Sequence, residues 1–100
     1  MKILCVFGEH AYGDPARGEG YEHVNFLPAL RRLGHEVSFF DSLTRDHYAD
    51  FSSLNRALLQ RIEETSPDVV LCVLMHYEVW LETIRLIRDS GTIVINWATD

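Results

Sequence analysis

The sequence contains few residues of the kinds that define several classes of protein. Cysteine occurs twice and proline three times in 100 residues. Two cysteines are too few for a disulfide scaffold, and their spacing is not that of a metal site. Cys5 and Cys72 both lie in apolar stretches. They therefore predict buried free thiols in a cytoplasmic protein. No apolar run reaches the roughly 20 residues that a membrane span requires. We expect no signal peptide, because a strand pattern begins at once and no small-residue cleavage site is present.

Positive charge is also scarce. The chain has 9 Lys and Arg against 15 Asp and Glu, which gives a formal net charge of −6. Because the basic residues are scattered and the whole chain is acidic, we expect no nucleic-acid binding through a basic face. The hydrophobic fraction of 47% is that of a folded globule, so the composition predicts one folded domain over residues 1–100.

Strand-like and helix-like patterns alternate along the chain. Apolar runs predict strands at residues 2–7, 37–40, 69–74 and 92–97. Apolar residues at helical spacing predict helices over residues 21–33 and 51–65, and a third that begins at Tyr77 or Glu78 and ends before Gly91. This alternation favours a Rossmann- or flavodoxin-like α/β sandwich of three layers, with four parallel strands in the order 2-1-3-4 and helices on both faces.

Three local features refine these helices. Pro28 predicts a kink in the first helix or its division into two pieces. Asp50 is placed to cap the second helix, because its carboxylate can accept the free amides of the first turn. In the third helix the apolar spacing predicts that four residues face the core: Trp80, Leu81, Ile84 and Ile87.

The connection after the first strand, residues 8–20, is longer than the roughly 2–6 residues usual for such a connection. It follows the strand at the carboxyl edge of the predicted sheet, where ligands bind in this fold class. Glycines at positions 8, 13, 18 and 20 allow positive φ angles and a close approach of the backbone to a ligand. The spacing is neither a dinucleotide fingerprint nor a P-loop. We therefore expect this loop to face a ligand.

Polar and aromatic residues follow neighbouring strands one and three, and we expect them to meet at one edge. They are Glu9, His10 and Tyr12 in the first loop, and His76, Tyr77 and Glu78 after strand three. A histidine beside a carboxylate suits proton transfer near neutral pH. The alternative is that each histidine caps a helix or bonds a buried carbonyl.

Two other strand ends carry candidate ligand-binding groups. After strand four, the set Asn96, Trp97, Thr99 and Asp100 suits contact with a sugar or nucleoside, since an indole covers C–H surface while polar groups bond hydroxyls. A strand end that turns into solvent is the alternative. Asp41 ends strand two, where an acidic residue can bind ribose.

Strand four has no predicted neighbour on its outer side. Its β-prone residues Ile93, Val94 and Ile95 make an edge that invites pairing. We expect either a further chain segment or another subunit to cover that edge.

Four segments together resemble the N-terminal Rossmann-like half of a GT-B glycosyltransferase. They are MKIL at 1–4, LRRLGHEV at 30–37, PDVVL at 67–71 and NWATD at 96–100. The last is similar in particular to the CgeB-like (spore maturation protein) family. The resemblance implies a longer protein of two domains with the active site between them. The N-terminal half takes the sugar acceptor, and the C-terminal half takes the nucleotide-sugar as co-substrate.

For the residues, the resemblance implies that a common set faces the cleft, with no metal and no further cofactor. The set is Gly8, Glu9, His10, Tyr12, Gly13, His76, Tyr77 and Asp100. Either His76 or Glu9 is the candidate base for the acceptor hydroxyl, and the chain alone is expected to be inactive as a transferase. The alternative is a stand-alone flavodoxin-like module for ligand binding or protein interaction that dimerises through strand four.

Overall fold

The computed structural model describes residues 1–74 and 78–97 of the chain. Within them, the strands are β1 (Lys2–Phe7), β2 (Glu36–Asp41), β3 (Val69–Cys72) and β4 (Ile93–Asn96). The α-helices are α1 (Tyr21–Arg32), α2 (Phe51–Thr65) and α3 (Leu81–Asp89). No helix in these residues is both long and apolar enough to cross a membrane.

The strands form one parallel sheet in the order β2-β1-β3-β4, which confirms the predicted topology. In this order β1 is central, and Cys5 lies opposite Phe39 of β2 on one side and Leu71 of β3 on the other. Every residue of β1 after Lys2 is buried. This continuous burial follows from neighbours on both edges and helices on both faces.

Alternate side chains of β1 pack into different apolar layers. Leu4 and Val6 belong to the layer that contains Leu58 of α2 and Ile87 of α3. Ile3, Cys5 and Phe7 belong to the layer that contains Leu27 of α1. The helices therefore cover both faces of the sheet, and the α/β sandwich of three layers is confirmed.

Two of the three expectations about the helices concern Asp50 and Pro28. Asp50 caps α2 as predicted, because its Oδ1 accepts a hydrogen bond from the Ser53 amide over 2.7 Å. Pro28 lies inside α1, which runs as one helix from Tyr21 to Arg32, so the division into two helices did not occur.

The expectation for α3 was wrong in its start and in the first two residues of its inward face, whereas Ile87 is buried and Ile84 packs against the core as predicted. The helix begins at Leu81 rather than at Tyr77 or Glu78, and Trp80 and Leu81 are 41% and 59% exposed. The Trp80 amide donates to Asn55 Oδ1 of α2 instead of entering a helical turn. The later start turns Thr83 and Ile87 towards the core.

Candidate functional site

A cleft of about 480 Å³ lies at the carboxyl ends of the central strands, where ligands bind in parallel α/β sheets. Its volume is in the range of small-molecule pockets. Four parts of the chain line it: Tyr12 after β1, residues 42–44 and 48–50 after β2, the start of α2, and Glu78 after β3. The structure thus contains a pocket at the predicted edge.

The loop after β1, residues 8–20, is closed on itself by backbone bonds. The Ala11 amide donates to the Gly18 carbonyl over 3.0 Å, and the Gly20 amide donates to the Glu9 carbonyl over 2.8 Å. His10 and Glu19 form an isolated antiparallel bridge between these bonds. The long loop is therefore a compact unit with a narrow neck.

The glycines of this loop make room for the segment after β2. A Cβ atom added to Gly8 would lie 2.7 Å from Leu43 Cδ1, and one added to Gly13 would lie 2.5 Å from the Leu43 carbonyl oxygen. At Gly20 the nearest atom would be the Gly8 carbonyl oxygen at 3.0 Å. The sequence predicted that these glycines would allow a ligand to approach the backbone closely. In the structure, Leu43 and the loop's own backbone make these close approaches. This packing brings Tyr12 to the cleft.

Tyr12 stands at the cleft with an unusual backbone and a highly exposed ring. Its φ angle of 55° lies in the left-handed region, and its side chain is 73% exposed. The Arg17 guanidinium carbon lies 5.2 Å from the ring centroid, within range of a cation–π contact. Arg17 also lies 3.6 Å from the Asp14 carboxylate. These contacts hold the ring beside the opening.

Asp41 shapes the segment after β2. Its Oδ1 accepts hydrogen bonds from the amides of Leu43 and Thr44, and its Oδ2 accepts one from Thr44 Oγ1 over 2.7 Å. The His47 ring nitrogen Nδ1 lies 3.7 Å from Oδ2. Because these groups occupy the buried carboxylate, Asp41 is a positioning residue and not the ribose ligand that its strand-end position suggested.

Ser42 contributes a buried hydroxyl to the wall of the cleft. The residue is 2% exposed, and its amide donates to the Phe7 carbonyl over 3.1 Å. Its Oγ is buried and has no hydrogen-bond partner among the described residues. A buried polar group without a partner costs free energy.

Tyr48 provides a second aromatic wall. Its ring stacks on Phe40 with centroids 5.7 Å apart, and its hydroxyl lies 3.4 Å from the Asp41 carbonyl oxygen. Burial, and next the Asp41 charge, raises the pKa of Tyr48 above its ordinary value. The hydroxyl therefore stays protonated at neutral pH and can donate a hydrogen bond.

Glu78 reaches the cleft through a hydrogen-bond network centred on Asn55 of α2. The Asn55 amide group donates to the carbonyls of Phe51 and Glu78 over 2.8 and 2.9 Å. Its carbonyl oxygen accepts from the Trp80 amide and from Thr83 Oγ1 over 2.9 and 2.7 Å. Glu78, 4% exposed, is thereby held in the wall of the cleft.

The structure brings together part of the predicted site. Tyr12 and Glu78, predicted to meet across strands one and three, both line the cleft. Glu9 and His10 instead belong to the neck of the first loop, where His10 Nδ1 is buried without a partner among the described residues. The predicted His76, Tyr77, Thr99 and Asp100 lie outside the described residues, so the meeting of Glu9 or His10 with His76 stays a prediction.

Asn96 and Trp97 lie near the end of β4 and do not line the cleft. Asn96 Oδ1 accepts a hydrogen bond from the Leu74 amide over 3.3 Å. The Trp97 ring packs edge-on against Phe26 of α1, with centroids 6.1 Å apart, and is 54% exposed. Trp97 is therefore on the α1 side of the sheet, whereas the cleft borders α2.

Ser42, Thr44 and Tyr48 were not among the predicted site residues. They lie in the irregular polar stretch after strand two, which gave no motif. The available signal was its place at the carboxyl end of a strand beside the central β1, where loops carry binding residues.

Comparisons of the chain with protein-family models, curated proteins and solved structures found no match. No group of three or more His, Cys, Asp and Glu in residues 1–74 and 78–97 is placed to hold a metal ion. The geometry of the cleft is therefore the basis on which a function can be inferred.

Proposed function

We propose that this chain is the acceptor-side domain of a GT-B glycosyltransferase similar to the CgeB-like proteins, and that the cleft holds the sugar acceptor. The observation that carries the proposal is the combination of aromatic rings, hydroxyls and a buried carboxylate in one cleft at the carboxyl edge of a parallel sheet. Aromatic faces cover the C–H surface of a sugar, while hydroxyl and carboxylate oxygens bond its hydroxyl groups. The nucleotide-sugar belongs to a second, C-terminal domain in this proposal.

The lining residues divide into two roles under this proposal. Tyr12 and Tyr48 provide the faces against which the sugar packs. Ser42 and Thr44 provide hydroxyl groups, and Thr44 Oγ1 can accept a hydrogen bond because its proton is directed at Asp41. The acceptor is thus oriented by contacts from both loops.

A base is required for transfer to the acceptor. The acceptor oxygen forms a bond to the anomeric carbon of the donor, the bond from that carbon to the nucleotide breaks, and the acceptor proton moves to the base. Glu78 joins Glu9 and His76 as a candidate for this role, because its carboxylate is buried in the wall of the cleft.

Amide NMR titration of the isotope-labelled chain with methyl glycosides and, separately, with UDP-glucose tests the proposal. We expect the glycosides to shift the signals of Tyr12, Ser42 and Glu78, and UDP-glucose to leave them in place. Binding of UDP-glucose alone at these residues contradicts an acceptor-side role.

A matched pair of tyrosines gives the control. Tyr12 and Tyr21 are 73% and 71% exposed, but only Tyr12 lines the cleft within the described part of the chain. We expect Tyr12→Ala to weaken glycoside binding about tenfold through the loss of one stacking face. Tyr21→Ala should bind like the unsubstituted chain.

The second candidate is a stand-alone flavodoxin-like module that dimerises through β4. In the described sheet β4 is an edge strand, and Ile93 and Ile95 are 60% and 48% exposed beside the half-exposed Trp97. An apolar edge of this kind invites pairing with another chain.

Sedimentation of the purified chain tests this candidate. A dimer that becomes a monomer in Ile95→Lys, with unchanged circular dichroism, supports it. Leu33→Lys is the control, because Leu33 is 73% exposed and distant in sequence from β4. A monomer at all concentrations rejects the module as an obligate dimer.

A further inference from the structure

We infer that β4 pairs with β4 of a second copy of this chain, antiparallel and in one register, with Ile95 of both copies at a common two-fold axis. The existence of a dimer rests on the second candidate function, whereas the sugar acceptor plays no part. The register follows from the direction of the main-chain groups of β4 and from the side chains on one of its faces.

The two edge strands of the described sheet differ in their protection. The Ser42 amide donates towards β1, so the alternate residues Phe39 and Asp41 direct their carbonyls away from the sheet. Arg61 Nη1 donates to the Phe39 carbonyl over 2.8 Å, and the Tyr48 hydroxyl lies 3.4 Å from that of Asp41. Side chains thus occupy the outer acceptors of β2.

The outer edge of β4 is left open within the described part of the chain. No described side chain bonds its outward main-chain groups, and residues 93–97, with the sequence IVINW, carry no charge. Proteins protect edge strands that do not pair, usually with charged side chains or with a cover. The contrast with β2 therefore marks β4 as the edge that pairs.

The main chain of β4 limits how a second copy can pair with it. The amides of Ile93 and Trp97 donate to carbonyls on the β3 side, over 3.1 and 2.7 Å. Main-chain groups of successive strand residues point to opposite edges, so Val94 and Asn96 direct theirs outward. In an antiparallel pair, two such residues exchange both hydrogen bonds. Val94 of one copy can exchange them with Asn96 of the other.

The apolar side chains of β4 share one face of the sheet. Ile93 and Ile95 lie opposite Val69 and Leu71, which belong to the apolar layer on the α1 side. Trp97 packs on the same side, against α1. A two-fold axis perpendicular to the sheet keeps the α1 sides of both copies on one face, so these side chains meet their counterparts.

One register pairs all of these side chains. With the axis at Ile95, the two Ile95 residues lie opposite each other, and Ile93 lies opposite Trp97 of the other copy. Both are non-hydrogen-bonded pairs, in which side chains are closest, and aromatic pairs with β-branched residues stabilise a sheet. An axis at Val94 removes Trp97 from the apolar pairs. An axis at Asn96 removes Ile93.

Oxidative cross-linking of variants with one added cysteine tests this register. Two residues at position 95 would have Cα atoms about 4.5 Å apart, within the range of a disulfide. Two residues at position 93 would be four residues, or about 14 Å, apart along the strands. The native Cys5 and Cys72 are buried and stay in every variant.

We expect Ile95→Cys to form a disulfide-linked dimer at least about tenfold faster than Ile93→Cys. Ile93→Cys is the matched control, because Ile93 is more exposed than Ile95, 60% against 48%, and reacts at least as readily by random collision. Addition of Trp97→Cys to Ile93→Cys should restore fast cross-linking, since positions 93 and 97 lie opposite each other in the inferred register.

Hydrogen exchange of the unsubstituted chain, followed by NMR, provides a measurement without any substitution. The amides of Val94 and Asn96 should be protected at high protein concentration and lose that protection on dilution, because only the second copy bonds them. The Ile93 amide should keep the same protection throughout, since its acceptor lies on the β3 side of the same chain.

The outcomes separate the register, the dimer and the sugar acceptor. Equal cross-linking of Ile95→Cys and Ile93→Cys, or faster cross-linking at position 93, overturns the register and leaves the dimer standing. A monomer at all concentrations, with unchanged exchange at Val94 and Asn96, overturns both the register and the second candidate function. The glycoside titration of the cleft decides the sugar acceptor independently of these results.

Discussion

The side-chain amide of Asn55 donates a hydrogen bond over 2.9 Å to the main-chain carbonyl of Glu78. Asn55 is 2% exposed in α2, and it also bonds the carbonyl of Phe51, the amide of Trp80 and the hydroxyl of Thr83. One buried side chain thus fixes the main chain of Glu78 and Trp80 just before α3. It also determines that Glu78 reaches the cleft.

Asn55→Ala should lower the free energy of unfolding by about 2–4 kcal/mol, because it leaves several buried donors and acceptors unpaired. Urea unfolding followed by circular dichroism measures the change. Asn25→Ala is the control, since Asn25 makes the same kind of bond to the carbonyl four residues earlier, over 2.8 Å on an exposed surface. We expect that substitution to cost less than about 0.5 kcal/mol. Equal losses in the two variants contradict the central role of Asn55.

Gly13→Ala should be more destabilising than Gly34→Ala by about 1 kcal/mol or more. Both glycines have positive φ angles, 74° and 91°, so both substitutions strain the backbone. Only at Gly13 does the added Cβ meet another group, the Leu43 carbonyl oxygen at 2.5 Å, whereas Gly34 has open space. Thermal unfolding compares the two, and the NMR signals of Tyr12 and Leu43 should move in Gly13→Ala alone. Similar stabilities with unmoved signals reject the packing of the two loops.

The contribution of Asp50 to stability should disappear in acid. The pKa of its carboxyl in the folded protein lies below the ordinary value of 3.8, first because the Ser53 amide donates a hydrogen bond to it. A carboxyl whose pKa is lower when folded stabilises the protein fully above the unfolded value, and that contribution is lost as the pH falls through the folded value. In urea unfolding across this range, the advantage of the unsubstituted chain over Asp50→Asn should shrink with falling pH. A constant difference contradicts the cap.

Both thiols should be unreactive in the folded chain. Burial raises the pKa of Cys5 to about 11 and that of Cys72 to about 12, and the residues are 0% and 1% exposed. Since the thiolate is the reactive form, at mildly alkaline pH we expect reaction with a disulfide reagent to be at least about a hundredfold slower than for a free thiol. Both thiols should react at once in denaturant. Rapid reaction of either in native buffer contradicts its place in the sheet.

Part of the candidate site was accessible from the sequence. Tyr12 and Glu78 follow strands that the apolar runs place side by side, so their common edge follows from the topology. The roles of Gly8 and Gly13 were harder to predict, because a glycine allows close approach without indicating what approaches. In this chain Leu43, from a distant segment, fills the space. The role of Asp41 was ambiguous for a similar reason. Only the turn formed by the following residues shows that its carboxylate already accepts hydrogen bonds from within the protein.

The alternation of apolar runs and helical spacing by itself determined the strands, the helices and the order β2-β1-β3-β4. It did so because a helix or strand buries side chains at the period of its backbone, so the pattern of apolar residues repeats along the chain with that period. Tertiary structure alone decided the late start of α3, the burial of Ser42 and the composition of the cleft wall. These features depend on hydrogen bonds between residues that are distant in sequence, such as the bond from Asn55 to Glu78. No periodic pattern in the local sequence indicates which of these residues pair.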